Sequence, residues 1–515
     1  MKKVLVVIQL VVFSLPIFAQ QKYNSDVENV GAGCPVTLPT SFNTANAKLP
    51  DPFTKLDGAK ISGKGDWWCR RQEILRLAER TIYGTKPPKP ASVTGTVSNT
   101  GITVNVSEGG KTASFTVTVS LPTAGAAPYP AVIRYDNSGA DASTIRGQGV
   151  AVINYSPYTL GAENTARTNK SGEFYKIYGA SSKTGLLAAW AWGVSRIIDV
   201  IEQSDGTILK ADAIGVTGCS RFGKGPFAAG AFDQRVALTI PVEGGTGGAA
   251  ILRGAAKESG AQPPSSAYSE QPWLGDDFSA FQNNVNNLPI DMHEVAAMIA
   301  PRGLLILDKP GAADWLASRS GYASAMAGAE VYKALGFGGN ITYHSNNTSG
   351  SHCAWISDWK TPVEDNIKRF LLRTAAPPAA PVINPRNDRT ETMANWVDWT
   401  TPALSGTLDI NGGEPTAINN KNSASATAAQ KPSNLCANVL SSKAINVAFR
   451  ASNSGEATLK LYNLKGNAVS TAKLKTVAGT NYSHTFNTGK IPNGFYLIGL
   501  RNNGKFEQTR VVIPR

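Results

Sequence analysis

The apolar positions of this chain change period along its length, and the changes divide it. Residues 92–121 alternate in short β-prone runs, Ile102-Thr103-Val104-Asn105-Val106 and Ser114-Phe115-Thr116-Val117-Thr118-Val119, which predicts an antiparallel edge. From residue 131 the strands read instead as unbroken apolar runs: Ala131 to Tyr135, Val150 to Tyr155, Ala213 to Thr217, Val236 to Ile240, Gly303 to Leu307 and Asn340 to Tyr343. Runs of that kind suit strands buried on both faces of a parallel sheet. Helical spacing separates them, from Gly185 to Gln203 (with Trp190, Trp192, Ile197 and Ile198) and from Ala329 to Leu335. An earlier helix opens at Trp67-Trp68 and runs to about Tyr83. This cadence predicts an α/β fold, a mostly parallel sheet between two helical layers. In such sheets ligands bind beyond the carboxyl ends of the strands.

The ends of the chain read differently. Met1-Lys2-Lys3, an apolar run from Val4 to Phe18 and a small residue at Ala19 predict a secretory signal peptide over 1–19. No later run is long enough to predict a membrane span. Residues 374–386 are rich in Ala and Pro, but Trp396-Val397-Asp398-Trp399 predicts that the chain still packs on the main domain to about residue 405. From 407 to 440 there is little to bury, which reads as linker. Residues 441–515 alternate again, with turns at Leu464-Lys465-Gly466-Asn467 and Asn502-Asn503-Gly504, and predict a small β-sandwich.

Charge changes the picture only when it is located. Of the net +13, residues 441–515 carry +9 (eleven Lys and Arg against two Glu) and Lys2 and Lys3 carry +2. The main domain is left near neutral at +2, so no nucleic-acid partner is expected. Five cysteines (Cys34, Cys69, Cys219, Cys353 and Cys436) in an exported chain allow disulfides, but arithmetic alone leaves their pairing open. None forms a C-x-x-C cluster and there are four histidines, so neither a metal site nor a cofactor is expected.

The chemistry gathers at Gly218-Cys219-Ser220-Arg221-Phe222-Gly223-Lys224. A serine at a strand-to-helix corner projects its hydroxyl from the sheet edge, beside amide groups at the start of the following helix. The usual G-x-S-x-G pattern wants its second glycine two residues after the serine, whereas Gly223 stands at three. A serine nucleophile needs a base. Of the histidines, His484 lies in the terminal sandwich, His293 precedes a strand and reads as a helix cap, and His344 ends a strand. His352 lies in the polar loop after the last strand, where a hydrolase of this order places its base. Two acids compete to orient it: Glu243, after the strand that follows the nucleophile, and Asp308, after the next one.

These segments resemble the glucuronoyl esterases, carbohydrate esterase family fifteen. The resemblance rests on Gly218 to Lys224, Ile240-Pro241-Val242-Glu243-Gly244, Ser351-His352-Cys353-Ala354, Leu49-Pro50-Asp51-Pro52-Phe53, Ala300-Pro301-Arg302-Gly303 and Asp398-Trp399-Thr400-Thr401-Pro402, and it spans about Cys34 to Leu404. It implies an α/β-hydrolase fold over 20–406 and hydrolysis of the ester between 4-O-methyl-glucuronic acid on glucuronoxylan and lignin alcohols. It implies Ser220 as nucleophile, His352 as base, Glu243 as acid with Asp308 sharing or assisting, and Arg221 at the oxyanion. Lys224, Glu270, Trp315 and Gln262 resemble the family's sugar contacts. It further implies a Cys219–Cys353 bridge and a second between Cys34 and Cys69, with Cys436 unpaired.

The C-terminal sandwich resembles sorting domains of type nine secretion substrates, which implies a bacterial source and a secreted or cell-surface location. Its rival reading is a basic module adhering to acidic polysaccharide. An acetyl-xylan esterase with the same triad, or a surface polysaccharide-binding protein on a hydrolase scaffold, are the alternative functions. The expected partner is the lignin–carbohydrate ester, acted on by a monomer.

Overall fold

The apolar runs of the larger part of the chain align as one ten-stranded sheet among the described residues, in the order β1-β2-β3-β5-β4-β6-β7-β8-β9-β10. The structure, a computed structural model, describes residues 21–412 apart from 43, 44, 348 and 349, and most of 435–513. The expected signal peptide and most of the expected linker lie outside them. The strands are β1 (Ser92–Val97), β2 (Gly101–Glu108), β3 (Lys111–Ser120), β4 (Tyr129–Tyr135), β5 (Ala151–Tyr155), β6 (Leu209–Cys219), β7 (Val236–Val242), β8 (Gly303–Leu307), β9 (Ile341–Ser345) and β10 (Val382–Pro385). The first three pair antiparallel, as their alternation requires, and β4 to β10 pair parallel.

The unbroken apolar runs follow from burial on both faces. In β4, Ile133 faces one core and Val132 the other, and in β8 Leu304 and Ile306 oppose Leu305 and Leu307. Over the first face lie helices Leu186–Gln203, Arg221–Phe232 and Ser318–Leu335, and over the second Ala142–Gly147 and Lys360–Phe370. Every residue of β7 and β8 is buried. The parallel strands β6, β7, β8 and β9 therefore open four successive loops at one edge of the sheet, and Ser220, Glu243, Asp308 and His352 lie there.

Three elements differ from the sequence reading. The helix read as Ala329 to Leu335 begins eleven residues earlier, at Ser318, because Gly and Ala there serve close packing: a Cβ on Gly328 would stand 3.2 Å from the His293 carbonyl oxygen. Strand β10 arises inside the Ala- and Pro-rich stretch by pairing with β9, where Val382 opposes Thr342. The main unit also continues beyond residue 406. Leu408 packs on its core, and the Trp68 indole donates to the Asp409 carbonyl at 2.7 Å.

The smaller unit contains two antiparallel sheets, β11-β12-β15 and β14-β13-β16-β17. Their strands are β11 (Leu435–Ser441), β12 (Ala444–Arg450), β13 (Gly455–Tyr462), β14 (Ala468–Thr476), β15 (Asn481–Asn487), β16 (Gly494–Asn502) and β17 (Lys505–Ile513). Ile445, Val447, Phe449, Leu459, Leu461, Phe486, Ile498 and Leu500 share one core between the sheets. Because β11 starts at Leu435, the sheet takes in residues that composition reads as linker, Cys436 among them. Among the described residues no helix is long and apolar enough to cross a membrane.

Candidate active site

Ser220 stands between β6 and the helix Arg221–Phe232 with φ 62° and ψ −127°. Its amide donates to the Val242 carbonyl at 2.9 Å, and its own carbonyl accepts from Gly223 and Lys224 at 2.7 and 3.0 Å. The off-pattern glycine has a physical reason. A Cβ on Gly223 would lie 2.3 Å from the same Val242 carbonyl oxygen that anchors Ser220, and one on Gly218 would lie 2.1 Å from the Phe222 oxygen. Position 222 is free to carry a ring, which packs on Tyr158 and Trp190 at 5.4 and 6.0 Å. Gly223→Ala is therefore expected to lower stability by about 1–3 kcal/mol, and to lower esterase activity about 10²-fold if the corner shifts by an ångström. Thermal melting and initial rates measure this, and an unchanged melting temperature would mean that the corner has room to yield.

Glu243 follows β7 in the left-handed region (φ 47°), fully buried, with its amide held by the Leu307 carbonyl at 2.8 Å. Its Oε2 lies 2.8 Å from His352 Nδ1 and accepts from the Cys353 amide at 2.5 Å. The His352 contact has the length of a charge-assisted hydrogen bond, but the ring N–H is not aligned along it. Cys353 is bonded through sulfur to Cys219, the neighbour of Ser220, with the two Cα atoms 5.7 Å apart. The serine and histidine loops are thus covalently pinned beside one another. Ser220, Glu243 and Cys353 (φ 63°) all occupy backbone conformations that side chains other than glycine disfavour. A second disulfide ties Cys34 to Cys69, remote in sequence from this site.

Donor atoms of Cys219, Glu243, His352 and Cys353 all fall within 4.8 Å of one another. With both sulfurs in a disulfide, no thiolate is available to a metal, and the cluster's chemistry is that of an acid–base pair.

Asp308, after β8, is buried too but points elsewhere. Its Oδ2 faces Gly321, where a Cβ would come within 2.9 Å, and the Tyr343 hydroxyl is beside it. Burial, and next the charge of Glu243, push its carboxyl up to about 7. The acid whose carboxylate meets His352 is Glu243.

Around this core lies a polar floor. Lys224 is buried and donates to the Gly244 and Thr246 carbonyls at 2.6 and 2.7 Å, so one of its three protons has neither as partner. Burial draws its ammonium down to about 8. Gln262 donates to Glu270 at 2.6 Å, its amide donates to the Trp315 carbonyl at 3.1 Å, and the Trp315 ring meets the His352 ring edge-on at 4.7 Å. Arg221 donates to Glu163 at 2.6 Å and lies 3.8 Å from Glu270, with Trp273 under both Arg221 and Lys224.

Glu163, Trp273 and Lys309 belong to this site and were not singled out from sequence. Glu163 and Lys309 follow the carboxyl ends of β5 and β8, and that position was the available signal.

A family model described as "Glucuronyl esterase, fungi" matches residues 104–336, and one described as "Secretion system C-terminal sorting domain" matches 441–514. The chain is 39% identical over 380 residues to a 4-O-methyl-glucuronoyl methylesterase of Hypocrea jecorina, covering 73% of this chain and 80% of that protein. With its counterpart from Podospora anserina it shares 38% over 379 residues, 72% and 78% of the two chains. Among solved structures, the glucuronoyl esterase catalytic domain of Hypocrea jecorina superposes with TM-score 0.65 at 39% identity, over 72% of this chain and 100% of that one. A serine-to-alanine mutant of the Sporotrichum thermophile glucuronoyl esterase, in complex with methyl 4-O-methyl-β-D-glucopyranuronate, gives 0.66 at 34% identity with the same coverage.

Proposed function

This chain belongs to the glucuronoyl esterase family of carboxylic ester hydrolases, and on that premise we propose that it cleaves 4-O-methyl-glucuronoyl esters of xylan to lignin alcohols with a Ser220–His352–Glu243 triad. The observation that carries the assignment is the buried Glu243 carboxylate 2.8 Å from His352 Nδ1, in a loop pinned to Ser220 through Cys219–Cys353. Ser220 Oγ attacks the ester carbonyl and passes its proton to His352 Nε2, while Glu243 stabilises the imidazolium. The tetrahedral oxygen is held by the Arg221 amide, which as the first helical N–H has no intrahelical partner, and by its guanidinium. Collapse expels the alcohol, protonated by His352. Water activated by the same imidazole then releases the uronate from the glucuronoyl-enzyme.

Selection of the sugar falls to the polar floor: Lys224, Gln262 and Glu270 toward ring hydroxyls, Trp315 against a sugar face. Trp315 is 37% exposed and the His352 side chain 29%, which supports access by a polymer. The sorting domain over 441–514 supports export to the cell surface or beyond, with the catalytic unit as cargo.

The test is methanol release from methyl 4-O-methyl-glucuronate beside acetate release from acetylated xylan. Methanol release is the expected result. Acetate release without methanol would replace this reading with that of an acetyl-xylan esterase.

A further inference from the structure

Lys309 is a fully buried lysine immediately after Asp308. Its ammonium donates to the Ser351 and Ala354 carbonyls at 2.8 and 2.5 Å, one on each side of His352-Cys353. Gly350, at φ 111°, lies against its stem, where a Cβ would stand 3.1 Å from Cδ, and the Trp359 ring lies 4.8 Å from Nζ. An ammonium has three protons, and two go to those carbonyls. Glu243 Oε1 lies 3.6 Å from the same Nζ and has no hydrogen-bond partner among the described residues.

From this geometry we infer that Lys309 is a positioning residue for the reaction, clamping the His352 loop and setting a counter-charge beside the buried Glu243 carboxylate. The inference rests on the triad assignment above. A buried carboxylate needs a paired charge or it takes up a proton. Two carboxyls, Glu243 and Asp308, compete here, and Lys309 meets the one that meets His352. Asp308, facing Gly321 and Tyr343, is the one displaced toward its protonated form. Among the described residues Glu258 also acts on Asp308, and the nucleophile helix carries Arg221 and Lys224. Arg221 is engaged by Glu163 and Lys224 by the Gly244 and Thr246 carbonyls.

Two variants separate clamp from charge. Lys309→Met removes both, and Lys309→Gln keeps a donor to the loop without the charge. Lys309→Met is expected to lower kcat about 10²-fold with KM within about threefold. In both variants the acid limb of kcat/KM should move up by about half a pH unit or more. The sign follows from losing a nearby cation: a cation disfavours added positive charge at the site, so without it activity that needs a neutral base appears at higher pH. Lys309→Gln should lose less kcat than Met while showing the same displacement of the limb. A fall in kcat with an unmoved limb in both variants would reduce Lys309 to packing and overturn the inference. If Lys309→Met gives no cooperative melt, the limb of Lys309→Gln decides. His352→Ala, run alongside, separates the readings. If it is inactive while both Lys309 variants behave as wild type, only the Lys309 inference fails; if it is fully active, the triad itself fails.

Discussion

Ser220→Ala is expected to lower kcat on a methyl glucuronate ester by about 10⁴- to 10⁶-fold, leaving a remnant due to binding and oxyanion contacts alone. The loss is chemical because little else changes. The corner is held by backbone: the Ser220 amide on Val242, and its carbonyl on Gly223 and Lys224. Alanine keeps all three bonds and is no worse than serine at φ 62°. The melting temperature is accordingly expected to stay where it is, and ester binding to stay within a few-fold. The measurement is single-turnover hydrolysis together with equilibrium binding of the unreacted ester. A Ser220→Ala enzyme with wild-type kcat would remove the serine mechanism altogether.

Much of this site could be read along the chain because its parts sit at strand ends. The unbroken runs of β6, β7, β8 and β9 announced a parallel sheet, and Ser220, Glu243, Asp308 and His352 each follow one of them. Position could not separate the two acids. They occupy equivalent points after neighbouring strands, and only side-chain direction, toward His352 or toward Gly321, distinguishes them. Gly223 looked misplaced against a motif, since the constraint on it is the Val242 carbonyl, a contact with another strand. Glu163 and Lys309 also follow strand ends, but their roles are made of long-range contacts, to Arg221 and to the His352 loop, which local pattern does not record. Small residues misled in the same way. The first half of Ser318–Leu335 carries Ser318, Ser320, Gly321 and Ser324, residues that helix propensity does not favour but that close packing of this helix uses.

The choice between the acids has a decisive pair of substitutions. Glu243→Gln is expected to lower kcat about 10⁴-fold, as loss of the orienting carboxylate does in serine-hydrolase triads. The reason is that both oxygens face donors: Oε2 faces His352 Nδ1 and the Cys353 amide, and Oε1 faces Lys309. An amide has one oxygen. Turned either way, its NH₂ meets an N–H or an ammonium, so the histidine loses its partner or the lysine is repelled. Asp308→Asn is expected to cost less than about tenfold in kcat, because its carboxyl does not meet His352 and, held at about 7, is already partly protonated near neutral pH. Removing its residual negative charge should move the acid limb of kcat/KM slightly downward, since an anion that favours positive charge at the site is lost. That displacement is opposite in sign to the one expected for Lys309→Met. If Asp308→Asn were instead the crippled variant and Glu243→Gln the mild one, the role of triad acid would pass to Asp308, and His352 would have to turn toward β8 during turnover.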